Sequence, residues 1–267
     1  MDMFGRDLAP ISDAALGEID AQASRTLRAN LAARRFVDVK GPYGWDYAGV
    51  SHGRLESLLK DGDVGYGVRV SAPVLETRVE FYLSAIELHN IDRGCADADL
   101  VAVERAAEAA AEFEDKAVFG GFEKASIKGL KGGSPNPEIE FSPLDASTFI
   151  SGIIGATDRS KRAFSIGGPF ALVGGDDLRS ALNKLDGYRT ILSIVKKYTD
   201  VDEFIYAPAA GASYLVSKRG GDFELALGGD FVVGYKERKG DALTFYIAES
   251  FTFRILEPRA YSPVKLK

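Results

Sequence analysis

The residues best suited to covalent chemistry are few in this chain. Its 267 residues include one cysteine, Cys95, and two histidines, His52 and His89. A Cys95–His89 pair would supply a nucleophile and its base, and it stays open as an alternative. Cys95 lies in an Asp-rich turn, however, where Arg93 is the only nearby basic group that would activate a thiol nucleophile. One cysteine leaves no disulfide and no CxxC metal site, and two histidines disfavour a His-rich metal site.

Two other stretches offer polar chemistry. The carboxylates of EFEDK, Glu112, Glu114 and Asp115, would suit acid–base work. On a helix, however, Glu112 and Asp115 lie one turn apart, which is more typical of a solvated or ion-paired face. GGPFALVGGDD (167–177) has glycines between a strand and a helix, without G-x-G-x-x-G spacing or a phosphate-loop lysine. Its Asp176-Asp177 pair is better interpreted as a helix N-cap. Residues 49–53, GVSHG, have the spacing G-x-S-x-G, but they lie in a glycine-rich segment that predicts a hairpin and not the strand-to-helix turn of a nucleophile elbow. These residue types predict no active site and no enzyme.

The composition excludes several classes of protein. Hydrophobic residues make up 46% and charged residues 27%, which favours a packed core over disorder. A net charge of −6 with scattered Lys and Arg argues against a nucleic-acid partner, because neutralising phosphates requires concentrated cations. The sequence lacks the ~18-residue apolar window of a membrane span and the apolar run of a secretory signal. We expect a reducing, cytoplasmic setting and no membrane partner.

Helical spacing predicts where the chain is helical. A first helix begins at Ser12 or Asp13, because apolar residues then recur every three to four positions. The strongest helix covers 100–121, rich in Ala and Glu and stopped by Gly120-Gly121. Further helices are predicted over 142–166, 177–185 and 190–198.

Alternating and glycine-rich segments predict the strands. A short strand is expected over Phe36–Val39, one long strand over Val74–Ile91, and another over Pro169–Gly174. Four short strands after Ala212 are predicted to form a meander. Residues 48–72 predict a hairpin with a thin apolar face, which needs a neighbouring element or another chain to cover it.

Several short motifs occur together in a fixed order. They are LAPIS, LAARRFVDVKGPYGWDY, RLESL, EFEDKAVFGG, KGL, SKRGGDFELALGGDFVVGYKER and ESFTFRIL. In this combination the chain resembles the family 1 encapsulins, also known as the linocin-type bacteriocin family, nearly end to end and most weakly over 130–210. The resemblance implies an α+β protein with the HK97 phage-capsid fold. Its peripheral domain would be 1–45, 76–135 and 222–252, its extended loop 46–75, and its axial domain 136–221 with 253–267.

The resemblance also implies a function. Encapsulins assemble into an icosahedral shell without catalytic activity, most often of about 60 copies (T=1). The shell encloses a cargo enzyme, a dye-decolourising peroxidase or a ferritin-like protein, through a docking peptide at the C-terminus of the cargo. Oxidative-stress defence and iron storage follow from such cargo. Two alternatives are a hydrolase or bacteriocin-type activity, which the missing nucleophile–base pair disfavours, and a true phage major capsid protein.

A docking groove for the cargo peptide is implied by the same resemblance. The matching positions are Arg34, Asp38, Asp230, Phe231 and Val232. An apolar floor rimmed by opposite charges would hold an extended peptide and set its register. The competing interpretation is that Phe231 and Val232 belong to the core, since alternate residues of a strand face opposite ways.

The resemblance further assigns a pore, a missing cofactor and an anchor. LNKLDGYR matches the loop around the five-fold pore, whose implied lining residues are Asp186, Gly187 and Tyr188. Some relatives stack a flavin on a tryptophan where this chain has Ile86, although Arg78 is retained, so no flavin and no other cofactor is predicted. Trp45, the only tryptophan, is expected to anchor the root of the extended loop by packing.

Overall fold

A computed structural model describes residues 3–141 and 146–266, with the side chains of Ala146 and Asp186 excepted. In this part of the chain the helices are α1 Asp13–Asn30, α2 Ala85–Asp92, α3 Val101–Gly120, α4 Ala146–Phe164, α5 Asp176–Leu182 and α6 Ile191–Tyr198. The strands are β1 Asp38–Lys40, β2 Gly49–Leu55, β3 Leu59–Asp61, β4 Val64–Tyr66, β5 Arg69–Pro73, β6 Leu75–Ser84, β7 Ile139–Phe141, β8 Phe170–Gly174, β9 Leu185–Asp186, β10 Arg189–Thr190, β11 Val201–Tyr206, β12 Ser213–Ser217, β13 Phe223–Leu227, β14 Val232–Lys239, β15 Ala242–Ile255 and β16 Tyr261–Leu266.

The chain divides into two compact units. The first contains Met1–Leu31, Lys40–Phe113 and Ala226–Thr252, and the second contains Ala32–Val39, Glu114–Leu225 and Phe253–Lys267. These units are drawn from backbone contacts, whereas the predicted domains came from a resemblance. The two divisions differ at 32–39, 114–135 and 222–225, and the predicted domain boundaries stay a prediction.

The first unit is built around the long strand β15. The strand order of its sheet is β1-β13-β15-β14, and β6 also pairs with β15, along the edge opposite β14. Antiparallel pairs place Leu243 opposite Leu83 and Phe245 opposite Phe81, all four buried on one face of the sheet. This face is covered by helices, because side chains of α1, α2 and α3 complete the same apolar cluster.

Helix α1 shows why the helical predictions succeed. The hydroxyl oxygen of Ser12 accepts the backbone N–H of Ala15 at 3.0 Å and caps the helix. Ile19, Ala23 and Leu27 then recur at helical spacing and are buried against the sheet. Helix α3 follows the same rule and matches its predicted span within a residue at each end.

The predicted long strand over Val74–Ile91 is wrong in its second half. Strand β6 stops at Ser84, whose hydroxyl oxygen accepts the N–H of Ile86 at 3.2 Å and so caps α2. Beyond this cap the buried residues Ala85 and Leu88 are three apart, a helical spacing. The alternating apolar pattern of β6 is followed without a break by the helical apolar pattern of α2, and only the Ser84 cap marks the boundary.

The predicted meander is also wrong. Strand β12 belongs to another sheet, and β13 and β14 both lie beside β15 rather than beside each other. With 14 residues, β15 is long enough to pair with more than one strand along an edge. The short strand predicted from Phe36 begins instead at Asp38, because residues 33–35 form a 3₁₀ turn.

The second unit holds a five-stranded mixed sheet. Its strand order is β11-β8-β12-β16-β7, with β11 parallel to β8 and β7 parallel to β16. Every residue of β8 and β12 is buried, as expected for central strands covered on both faces. Helix α5 begins after Gly175, which makes no side-chain cap, so the predicted Asp176 or Asp177 N-cap is wrong and both aspartates lie in the first helical turn.

Candidate functional site

A two-stranded arm in the first unit carries exposed apolar side chains. Strands β2 and β5 pair antiparallel near the base, where Val50 and Ala72 are opposite each other and buried. Towards the tip, β3 and β4 form a second ladder that turns at Gly62, with a φ of 58°. Six apolar side chains on the arm are 46–79% exposed, namely Leu55, Leu58, Leu59, Val64, Tyr66 and Val68. Such an arm is not stable by its own packing and presents a surface for a partner.

Three of the predicted docking residues lie in the first unit. Asp230 is exposed, and its carboxylate accepts the N–H of Phe231 at 2.9 Å. Phe231 is half-buried and packs against the apolar cluster beneath the sheet. Val232 opens β14 opposite Ala248 and is also half-buried. Half-burial does not decide between the core interpretation and the docking interpretation of Phe231 and Val232, and the docking assignment stays a prediction.

Arg34 and Asp38 lie in the second unit and already have structural partners. The Arg34 guanidinium contacts both carboxylate oxygens of Glu114 at 2.7–3.1 Å. The Glu114 side chain is fully buried, whereas that of Arg34 is 17% exposed. The Asp38 carboxylate accepts the N–H of Gly221. The predicted docking residues are thus divided between the two units, Arg34 and Asp38 in one and residues 230–232 in the other.

Asp115 is a buried residue whose importance the sequence pattern did not reveal. It is 1% exposed, and its two carboxylate oxygens accept the N–H groups of Ala32 and Ala33 at 3.1 and 2.9 Å. Burial raises the pKa of Asp115 to about 7, although these two N–H groups oppose the shift. The solvated or ion-paired face expected for EFEDK is wrong for Asp115, which is buried and binds backbone N–H groups. The sequence signal for its burial is helical spacing, since Asp115 lies four residues after the buried Ala111 and three before the buried Val118.

The predicted pore residues form the turn of a small hairpin. Strands β9 and β10 pair Asp186 with Arg189, which leaves Gly187 and Tyr188 as the two turn residues. Gly187 has a φ of 67°, a conformation that favours glycine. Tyr188 is fully exposed. The side chain of Asp186 lies outside the described residues, and the pore assignment stays a prediction.

The cysteine and the two histidines are the residues that the sequence analysis weighed for nucleophilic chemistry and metal binding. Cys95 lies in a groove of about 1010 Å³ between α1 and the connection from α2 to α3. Its thiol contacts a carboxylate oxygen of Asp97 at 3.1 Å, and His52 and His89 are both exposed. Across residues 3–141 and 146–266, no three His, Cys, Asp or Glu side chains are grouped as metal ligands would be.

The position compared with a flavin-stacking residue lies on a helix. Ile86 is in the first turn of α2, not in a strand, and is 57% exposed. Arg78 stacks its guanidinium on the ring of Tyr246, 4.1 Å from the ring centroid. Among the residues that the structure describes, none of the helices combines the length and the hydrophobicity that crossing a bilayer requires.

Comparison with known sequences identifies relatives over nearly the whole chain. Residues 1–252 match the family model described as "Encapsulating protein for peroxidase". A type 1 encapsulin shell protein of Rhodococcus erythropolis is 39% identical over 252 residues, which cover 93% of this chain and 94% of the relative. One of Rhodospirillum rubrum is 38% identical over 269 residues, covering 97% and 95%.

Comparison with solved structures gives the fold. A virus-like particle from Pyrococcus furiosus matches with a TM-score of 0.65 at 14% identity, covering 93% of this chain and 98% of the other. The capsid of Myoviridae phage XM1 matches with a TM-score of 0.57 at 15% identity, covering 87% and 90%. At such low identity the likeness shows the fold alone, which is that of phage capsid proteins.

Proposed function

The chain belongs to the family of encapsulating proteins for peroxidase, and on that premise we propose that it takes an enzyme as cargo into the shell that it builds. It is a self-assembling shell protein with the HK97-type capsid fold that the motifs predicted. The icosahedral arrangement of about 60 copies (T=1) is part of the proposal. The absence of catalytic activity is also part of the proposal.

The observation that carries assembly is the exposed arm of strands β2 to β5. Its six apolar side chains are 46–79% exposed in the single chain, an arrangement that costs free energy in water unless another surface covers it. A neighbouring copy is the natural cover, since every copy presents the same arm and closed symmetry satisfies all of them at once. The Gly187–Tyr188 turn would then line a pore for ions and small substrates.

The proposed cargo is a dye-decolourising peroxidase, with a ferritin-like iron protein as the alternative. The description of the matching family model names a peroxidase, which supports the first. Docking would use Asp230 as an exposed charge beside the half-buried Phe231 and Val232. Arg34 and Asp38 would contribute the parts of their side chains left accessible by Glu114 and Gly221. We propose a cytoplasmic compartment, no bound flavin, and a role in oxidative-stress defence or iron storage.

Cargo loading tests this proposal directly. The shell chain is co-expressed with a fluorescent protein that ends in the C-terminal segment of a dye-decolourising peroxidase, the proposed cargo. Reversing the exposed charge with Asp230→Arg should leave shells intact and reduce the fluorescence per shell at least several-fold, because the peptide loses a rim contact.

The matched control is Asp241→Arg, which makes the same charge change at an exposed residue between β14 and β15. Equal loading of both variants and the unmodified shell would remove residues 230–232 from the docking site. Nucleic acid inside the particles, read from their ultraviolet absorbance ratio, would instead favour the phage-capsid alternative.

A further inference from the structure

The outer edge of β14 is partly occupied by the N-terminus of the same chain. Strand β14 ends the strand order of its sheet, so its outward backbone groups have no neighbouring strand in the described chain. The N–H of Tyr235 donates to the carbonyl oxygen of Phe4 at 2.9 Å. Arg6 donates from Nη1 to the carbonyl oxygen of Val233, also at 2.9 Å. We call Met3–Leu8 the N-terminal strap.

Two further contacts fix the strap over this edge. The Arg6 guanidinium makes a two-point contact with the Asp20 carboxylate on α1, at 3.0 and 2.5 Å. The Phe4 ring packs edge-on against Trp45, with ring centroids 5.0 Å apart. Between them, Gly5 has a φ of 65°, and a side chain there would meet the carbonyl oxygen of Tyr235. The strap is thus fitted to β14, α1 and Trp45 together.

The strap is held by surface contacts rather than by burial. No residue from Met3 to Leu8 is buried. The Arg6 and Asp20 side chains are 26% and 40% exposed, and ion pairs this open to water are weak. A ligand that offered β14 a longer set of backbone hydrogen bonds could therefore replace it.

The covered edge adjoins the proposed docking residues. Val232 directly precedes Val233 on β14, so a peptide extended along this edge from Asp230 reaches the strap within a few residues. Trp45 also lies beside these residues, because a Cβ atom on Gly229 would be only 2.1 Å from the Trp45 ring. Extended peptides bind such edges by adding a strand, which requires the outward N–H and C=O groups to be available.

The geometry points to the N-terminal strap as a displaceable cover that competes with the cargo peptide for the outer edge of β14. This inference rests on the proposed docking function and adds a regulatory step to it. The peptide takes over the N–H of Tyr235 and the carbonyl of Val233, and the strap with Phe4 leaves Trp45. Docking is therefore weaker than the bare edge would allow, and it strengthens when the strap is loosened.

The test compares Arg6→Ala with Leu8→Ala in full-length shells. Leu8 lies in the strap and is 59% exposed, so its truncation controls for a change in the segment itself. Shells are opened and reassembled with a fluorescein-labelled, tryptophan-free peptide that copies the C-terminal segment of a dye-decolourising peroxidase, the proposed cargo. Arg6→Ala should bind the peptide several-fold more tightly than the unmodified shell. Leu8→Ala should bind the peptide with the same affinity as the unmodified shell.

The single tryptophan supplies an independent readout. Peptide saturation of the unmodified shell should shift the emission of Trp45 to longer wavelength, because the Phe4 ring leaves it. Phe4→Ala should show that shift without peptide and bind the peptide more tightly, and this variant replaces Arg6→Ala if the latter fails to assemble.

The outcomes separate the two claims. Peptide binding that is unchanged or weakened in Arg6→Ala, or saturation without a change in Trp45 emission, overturns the strap while leaving docking in place. A peptide that binds neither the unmodified shell nor either variant overturns the proposed docking function, and the strap with it.

Discussion

At the scale of single residues, two neighbouring carboxylates on α3 are buried and satisfied in different ways. Glu114 is neutralised by the guanidinium of Arg34, whereas Asp115 binds two backbone N–H groups of the 32–33 segment. Burying a charge without such partners is costly. The sequence did not predict this arrangement, because helical spacing places EFEDK on a face but does not say which distant residues supply the partners.

Removing Arg34 should destabilise the chain. Arg34→Ala leaves the fully buried Glu114 without its cation, and breaking a buried pair on one side costs about 3–5 kcal/mol. Since Arg34 keeps some exposure, we expect the lower end of that range, read as a clear fall in the apparent Tm of the shell.

Arg35→Ala is the matched control for that variant. Arg35 pairs with Glu203, which also contacts Lys218 at 2.7 Å, so Glu203 keeps a cation when Arg35 is removed. A partly exposed pair of this kind contributes about 0–1 kcal/mol. Equal falls in Tm for both arginines would contradict the structural role given to Arg34.

The buried carboxyl of Asp115 should make stability depend on pH. Its pKa is raised from 3.8 to about 7 in the folded chain, so the folded state binds more protons than the unfolded state between these values. The free energy of unfolding therefore falls as the pH rises through this window. The apparent Tm of the unmodified shell, measured from pH 4 to 7, should include this decline.

Asp115→Asn isolates the contribution of that carboxyl. The amide cannot ionise, so the variant should be less stable at pH 4 but should lose less of its Tm between pH 4 and 7. An identical pH dependence in the variant and the unmodified shell would show that Asp115 does not change protonation in this range.

At the scale of elements, predictions succeeded where one periodicity ran uninterrupted. Helices α1 and α3 have long apolar stripes and a clear cap or stop, so their spans follow from spacing alone. The β6–α2 boundary failed because Ser84 ends an alternating pattern just where a helical one begins. Strand order around β15 failed for another reason, since sequence patterns identify strands but not which of them become neighbours.

The exposed arm should be required for assembly and not for folding. Leu58→Glu places a charge where the side chain is 79% exposed in the single chain, so its cost arises only when another copy covers the arm. Size-exclusion chromatography should show small species with unchanged far-ultraviolet circular dichroism.

Ser57→Glu is the companion variant, because it adds the same charge at the neighbouring exposed position of the arm. It should assemble better than Leu58→Glu, since no apolar contact is lost. Normal shells from Leu58→Glu would mean that the apolar side of the arm is not an intersubunit surface.

At the scale of the whole molecule, the fold was predicted from the ordered motifs and the family resemblance that they carry. The hydrophobic periodicity of single segments predicted helices and strands but not their arrangement. The motifs from LAARRFVDVKGPYGWDY to ESFTFRIL span the chain, and the capsid-like fold and family membership agree with them. The docking surface could not be predicted as firmly. The predicted docking residues come from a resemblance, and the proposed ligand belongs to another chain, so no pattern within this sequence describes such a complex.

Electron microscopy of the purified chain, expressed without cargo, tests the central claim most directly. We expect uniform, closed, hollow particles, because every copy carries the same exposed arm and closed symmetry covers all of the arms. A monomer or dimer that persists at micromolar concentration, with no closed particles on the grid, would contradict it.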